Sequence, residues 1–333
     1  MYTLLTKFRL DIPPFMSYAA AYSLYNYSLA DTKLGTSEYS NLRLVRAFEK
    51  GLDPSSSEAG FVLTHVHMVE KTAPLINGAV SLLSIIEDTP SDMSQVHHCF
   101  NTMLSAMEKI EASMENMWTH SLPKDYNSYR TFIFGITNQS MFPDGVVYDG
   151  INENKPLFFR GESGANDSII PLLDHLLEIT DLMPVNPLTE ILKDFRSYRP
   201  KPHREFLAWV LSKSTELGVR DFCCNGSDKE TTVLYLRLLD HVRSFRWRHW
   251  LFAREYIIRR SKHPTATGGS PIVTWLPNQL FAVMDLMIEM YHNAGLEKDT
   301  EARKGLTEMM DNVKDQRVKL GKEVDKWCQE RGA

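Results

Sequence analysis

Several things are scarce in this sequence. Four cysteines in 333 residues are too few for a disulfide framework, and Cys99, Cys223, Cys224 and Cys328 show none of the paired spacings that build a zinc site. Positive charge is not in excess: 37 Lys and Arg against 42 Asp and Glu leave a net charge of -5. With a pI near 6.1 the chain has no overall field to hold a polyanion, so no nucleic-acid partner is expected. No window approaches about 20 uninterrupted apolar residues, so no membrane span is expected either. Asp11, Pro13 and Pro14 break the stretch from Met1 to Tyr22 where a signal peptide would need its apolar run, which makes the cytoplasm the default location. Runs of alternating strands, internal repeats and low-complexity tracts are also lacking.

What is present is an ordinary globular composition, 43% hydrophobic and 24% charged, which excludes disorder and leaves enough chain to surround a sizeable cofactor. The periodicity predicts an all-α protein. Residues 1–52, rich in tyrosine (Tyr18, Tyr22, Tyr25, Tyr27, Tyr39), read as a small N-terminal helical segment that closes at the turn Gly51-Leu52-Asp53-Pro54. Residues 53–333 read as one large helical bundle. Ser55 and Glu58 have capping-box spacing ahead of a helix to about Gly78; a second helix covers about Asp92 to Thr119, and Pro123 opens a third that ends near Gly135. Residues 138–168, with four Gly and two Pro, form a long loop of the kind that binds something or is disordered. Asp167 or Ser168 caps a helix to about Asp181, and Pro187 starts another that ends before Pro200. Ser227 and Glu230 repeat the capping spacing ahead of the longest periodic run, which ends near Arg260. Residues 262–271 exclude regular structure, and helices over about 277–293 and 299–331 finish the chain.

Two histidines stand out. Leu234, Leu238, Val242, Phe245, His249, Phe252 and Tyr256 follow at steps of four or three, so His249 sits within an apolar helical stripe, with Arg246, Arg248 and Arg254 off it. On the earlier helix, His65 falls between Phe61, Met68 and Val69, whereas His67 points elsewhere. Each is either a core histidine satisfied by a hydrogen bond or one of a pair facing a flat hydrophobic cofactor from opposite sides, one binding its metal.

Five strings, in order, resemble the heme-dependent tryptophan and indoleamine 2,3-dioxygenase superfamily. Phe61-Val62-Leu63-Thr64-His65 is similar to F-I-x-T-H of the tryptophan enzymes. Phe245-Arg246-Trp247-Arg248-His249, with Thr265-Ala266-Thr267-Gly268-Gly269-Ser270 after it, is similar to their W-R-x-x-H and G-T-G-G-S. Phe142-Pro143-Asp144-Gly145-Val146-Val147-Tyr148-Asp149-Gly150, the loop Phe159 to Ser168, and Arg196-Ser197-Tyr198-Arg199-Pro200-Lys201-Pro202-His203-Arg204-Glu205-Phe206-Leu207 resemble the indoleamine enzymes. The resemblance covers roughly residues 55 to 290.

The resemblance implies a helical heme domain holding heme b, with O2 as co-substrate and an indole as the small-molecule partner. It makes His249 the proximal iron ligand and His65 the distal histidine near the indole nitrogen. Arg130 falls on the substrate-carboxylate arginine, with Tyr126 and Phe134 on the same helix face as aromatic walls; otherwise it is a surface arginine pairing with Asp125 or another acid. Thr267, with Gly268 and Gly269, matches the loop that closes over the substrate's ammonium group, or is a plain glycine turn. Ser163 matches a distal-loop serine. Arg246 resembles the arginine near the heme propionates, and Asp174 the acid that holds the proximal imidazole, although on the helical wheel it sits at the edge of its apolar stripe, where a solvated aspartate would also lie.

The implied reaction adds O2 across the indole C2–C3 bond of tryptophan, giving an N-formyl ketone. Three features depart from the pattern. About 50 residues stand where the indoleamine enzymes have a longer N-terminal domain, which leaves the pocket roof to the tyrosine-rich segment or to a neighbouring subunit in a homo-oligomer. His65 is the tryptophan-enzyme choice in a chain otherwise closer to the indoleamine enzymes. The continuation Val66-His67-Met68-Val69-Glu70 differs from the tryptophan enzymes' Q-x-x-E-L-W. The alternatives are a superfamily enzyme of secondary metabolism that monooxygenates or rearranges a tryptophan derivative, a heme sensor or carrier without turnover, and a helical interaction protein without heme.

Overall fold

The computed structural model describes residues 25–161, 167–185, 187–226, 228–262, 272–296 and 303–331. The chain there is helical apart from one short antiparallel ribbon, β1 (Tyr27–Leu29) paired with β2 (Leu42–Leu44) with Ser28 opposite Arg43. The ribbon corrects the helical expectation for the N-terminal segment. Tyr25, Tyr27 and Leu29 recur at a period of two, the strand period, and Tyr is a strand former. The buried Asn41 closes the connection: its amide donates to the carbonyls of Asp31 and Gly35, both at 2.8 Å, and its Oδ1 accepts from Asp31 N at 2.7 Å.

The helices follow as α1 (Ser57–Glu70), α2 (Ala73–Glu87), α3 (Met93–Glu115), the short α4 (Met117–His120) and α5 (Tyr126–Arg130). After the long loop come α6 (Ile169–Leu176), α7 (Pro187–Arg196), α8 (Lys201–Leu217), α9 (Val219–Asn225), α10 (Lys229–Phe252), α11 (Ile272–Asn293) and α12 (Arg303–Arg331). Helices α8 and α9 go beyond the elements that the sequence pattern signals. The expected capping box at Ser227 involves a residue outside those described; Asp228 caps α10, accepting from Thr231 N at 3.1 Å.

The helix expected from Glu58 to Gly78 is two helices, because Pro74 enters at the start of α2 and cannot continue a hydrogen-bond ladder from α1. The whole stretch Ser57–Glu87 has the length and mean hydropathy (1.2) of a membrane-crossing segment, which a search for an unbroken apolar run overlooks. As folded, it is two helices of 14 and 15 residues, both packed on α3, each shorter than the roughly 20 residues that span a bilayer. The cap of α1 also moves by one residue: Ser56, not Ser55, accepts from Ala59 N. Glu58, fully buried, collects instead the backbone N–H groups of Phe48, Glu49 and Lys50 at 2.6, 3.0 and 3.0 Å. It thereby ties the ribbon segment to the start of α1.

Helix α10 is the central element, packed against α3 and α11. The stripe read from the sequence is its buried face: Leu234, Leu238, Val242 and Phe245 are in the core. Past Phe252 the helix widens into a π-turn, Ala253–Ile258, a form that recurs at functional sites. It sets Tyr256 against α4, with its hydroxyl donating to the carbonyls of Ser121 and, at 3.2 Å, Met117. The four cysteines are free thiols.

Candidate functional site

His249 lies deep in the protein, and burial lowers its pKa below the ordinary imidazole value; the Asp167 carboxylate opposes that shift and the Arg246 cation adds to it. The side chain is nevertheless accessible. A group both deep and accessible lines an interior recess and is not packed into the core. Its rotation is fixed by the residues around it. Arg248 pairs with Glu111 at 2.6 Å and Glu115 at 3.0 Å on α3. Trp250 donates its indole N–H to Glu323 on α12 at 2.8 Å, and Arg254 pairs with the same carboxylate at 2.6 Å. Arg246 pairs with Asp174 on α6, one Nη2 at 2.9 and 2.8 Å from the two carboxylate oxygens. With these neighbours anchored on three other helices, the roll of α10 at His249 is fixed.

The resemblance predicts Asp174 on the imidazole itself. The structure gives it Arg246 as a partner, so Asp174 and Arg246 form an ion pair a helical turn from His249. The edge position of Asp174 on α6 accounts for this, since it points along the surface of the bundle toward α10 and is still mostly covered.

His65 is buried on α1, with 9% of its surface exposed. Its Nε2 stands 3.6 Å from the Oδ2 of Asp167, which is itself 5% exposed. Asp167 therefore lies within charge reach of both histidines. The sequence pattern marks it only as a helix cap, and its Oδ1 does accept from Ile169 N at 2.8 Å. Its second role depends on tertiary structure, which periodicity does not encode.

The loop that carries Asp167 is pinned by two consecutive residues. Tyr198 accepts from Arg160 N at 3.1 Å through its hydroxyl, and the buried Arg199 donates to the Asp167 carbonyl through Nε at 3.2 Å and Nη2 at 2.7 Å. The motif Arg196 to Leu207 thus fixes the two flanks of residues 161–166, a role the string alone does not reveal. A third constraint is Gly135: a Cβ there would run into the backbone of Phe159, Arg160 and Gly161, so only glycine permits this approach.

Arg130 is buried, 3% exposed, which overturns the surface reading; Asp125 accepts from Ser57 Oγ at 2.7 Å. Burial lowers the guanidinium's pKa, against the charge effect of Tyr126 and the hydrogen bond that the guanidinium donates to it. Phe134 is past the helix, in extended backbone, so it does not share a helix face with Tyr126 and Arg130 as the spacing suggests. Its ring still lies 4.8 Å from the guanidinium carbon. The ring of Tyr126 lies 5.3 Å from that of Phe61, tilted by 49°, and Phe61 precedes His65 by one turn of α1. Arg130 is connected to the His65 side of the molecule through these two rings. Ser163, Thr267 and Gly268 lie outside the described residues.

The fold and these residues define an all-helical protein with two interior imidazoles on different helices and a buried arginine set among aromatic rings. The indoleamine 2,3-dioxygenase family model matches residues 5–320, and the chain belongs to that family. It is 26% identical over 261 residues to indoleamine 2,3-dioxygenase 1 of Mus musculus, covering 78% of this chain and 61% of the relative. It is 25% identical over 159 residues to a 6-hydroxytryptophan 2,3-dioxygenase of Fusarium equiseti, covering 47% of this chain and 38% of that protein. A third relative, a myoglobin of Haliotis madaka, is 24% identical over 196 residues, covering 56% of this chain and 50% of its own. The chain spans about three fifths of the length of the first curated relatives it matches.

Proposed function

We propose that this protein is a heme-dependent dioxygenase that adds O2 across the indole C2–C3 bond of L-tryptophan or a related indole, giving an N-formylkynurenine-type product. The observation that carries the reading is the placement of His65 and His249, from α1 and α10, near the buried carboxylate of Asp167. The donor chemistry fits heme b. Burial favours the neutral form of His249, the form that donates to iron. Among the described residues no group of three or more His, Cys, Asp or Glu is arranged to hold a bare ion, so a lone imidazole suits a metal that arrives already held by a macrocycle. His249 would be the iron ligand, and Arg246, oriented by Asp174, would stand near the propionates.

When bound, the iron supplies the activation of O2. The chain's own part is positioning. Arg130 holds the substrate carboxylate, its guanidinium kept in place by Tyr126 and Phe134. His65 accepts the indole N–H, and the walls exclude water. Ser163 would complete the distal side, and Thr267 with Gly268 would close over the ammonium group. Misplacing the ring by about 1 Å would cost on the order of a hundredfold in rate.

A second reading, an enzyme of secondary metabolism acting on a modified tryptophan, is favoured by the 6-hydroxytryptophan enzyme among the relatives and by the distal histidine in an otherwise indoleamine-like chain. One experiment separates them: hemin-loaded, reduced protein is given L-tryptophan under labelled O2. Two labelled atoms in a formylkynurenine chromophore are expected. Incorporation of one atom would favour monooxygenation, and a heme spectrum indifferent to tryptophan with no product would point to a carrier. Arg130→Ala should retain heme and bind L-tryptophan roughly 10- to 100-fold more weakly, the worth of a charged hydrogen-bond pair.

A further inference from the structure

We infer that the protein has a second ligand site, outside the candidate active site: the cleft between α3, α10 and the first turns of α12 binds a free α-amino acid with a small apolar side chain. The site draws on neither heme nor indole, so its failure would leave the dioxygenase reading intact.

The cleft has a volume of about 280 Å³, below the roughly 300–1,000 Å³ of drug-sized pockets, which suits a compact ligand. Its walls include Leu104 and Glu108 of α3, Arg237, Asp240 and His241 of α10, and Met309 of α12. Of the four arginines on α10, Arg243 pairs with Asp240, Arg246 with Asp174 and Arg248 with Glu111. Arg237 is the exception. Asp240 lies one helical turn from both Arg237 and Arg243, a spacing at which either could pair, and it takes Arg243 at 2.6 Å. Among the described residues Arg237 has no hydrogen-bond or ion-pair partner, and neither has Glu108. Opposite charges thus line one cleft from two helices without neutralising each other. A Cβ at Gly305 would meet Nη2 of Arg237 at 3.8 Å, so the guanidinium sits by the first turn of α12, where the helix dipole also favours an anion. His241 hydrogen-bonds Glu111 through Nδ1 at 2.7 Å. A carboxylate accepts and does not donate, so Nδ1 carries the proton and Nε2 of the neutral ring offers a lone pair. Arg237 therefore takes the ligand's carboxylate, Glu108 and His241 accept from its ammonium group, and Leu104 and Met309 leave an apolar wall for its side chain.

The test titrates the full chain with L-leucine, with isocaproate (L-leucine without its ammonium group) and with leucinamide (which lacks the carboxylate), followed by NMR of the ligand. L-Leucine should bind saturably, with a dissociation constant in the millimolar range or below. Arg237→Gln should weaken L-leucine and isocaproate roughly tenfold, about one charged hydrogen bond, and leucinamide less than about twofold on the same scale. Glu108→Gln should show the complementary pattern, weakening L-leucine and leucinamide and sparing isocaproate. Both residues are exposed, so the variants should fold as the wild type does. Arg130→Ala, in the candidate active site, should leave the affinity for L-leucine unchanged. Three outcomes would each overturn the proposal: no saturable binding of L-leucine, an equal loss for all three compounds in either cleft variant, or a loss of L-leucine in Arg130→Ala and not in Arg237→Gln, which would place the amino acid in the indole pocket instead.

Discussion

The two sides of the candidate site are held by different means. On the His249 side, a long helix is fixed in rotation by side-chain ion pairs: Arg248 to Glu111 and Glu115, Arg254 to Glu323, Arg246 to Asp174. On the Asp167 side, an irregular segment is fixed by side chains that bind its backbone, Tyr198 at Arg160 N and Arg199 at the Asp167 carbonyl. The difference follows from what each side lacks. A helix satisfies its own backbone and leaves only its roll about the axis to be set. A loop has no internal ladder, so its buried N–H and C=O groups need partners brought from elsewhere.

If this contrast is correct, the sharpest break comes at His249. His249→Ala should abolish heme binding, read as loss of the heme absorption band in the hemin-loaded protein, because the substitution removes the imidazole proposed to hold the iron while leaving the helix anchored. A smaller effect is expected at Arg199. Arg199→Ala leaves the buried Asp167 carbonyl without this donor, and should lower unfolding stability by about 1–3 kcal/mol while heme binding persists. Loss of heme in that variant would erase the distinction between the two sides.

The smallest effect belongs to the helix that bears His65. At the residue before it, Thr64 Oγ1 lies 3.1 Å from Nδ1 of His120, whose ring stacks on Tyr39 at 3.8 Å. Burial, and then the nearby charge of His67, hold His120 below the ordinary imidazole pKa. The unfolded chain thus takes up this proton at higher pH than the folded one, and stability should fall as pH drops through about 6.5. His120→Gln should flatten that part of a Tm-against-pH curve relative to wild type; an unchanged slope would show that the ring titrates as it does in water.

What the sequence reveals and what it leaves out divide along physical lines. The apolar stripe of α10 and the inward face of His65 are legible because a 3.6-residue period is a local property, and both survive in the structure. The ribbon at Tyr27–Leu29 is misread as helix because three residues per strand are too few for the period of two to dominate over tyrosine content. Helix α8 escapes because its buried positions, Leu207, Val210 and Ser214, are few and include a hydroxyl. Asp167 is the instructive miss. Its neighbours in sequence mark only a helix start, and its proximity to both histidines exists only once α1, α6 and α10 have assembled.

The carboxylate of Glu58 has a practical corollary for anyone shortening this protein. Because it serves three successive amides at positions 48–50, trimming the chain to the apparent domain edge near residue 52 would strand an anion at the root of the helix that presents His65. A viable truncation has to begin upstream of Phe48, and the ribbon travels with α1.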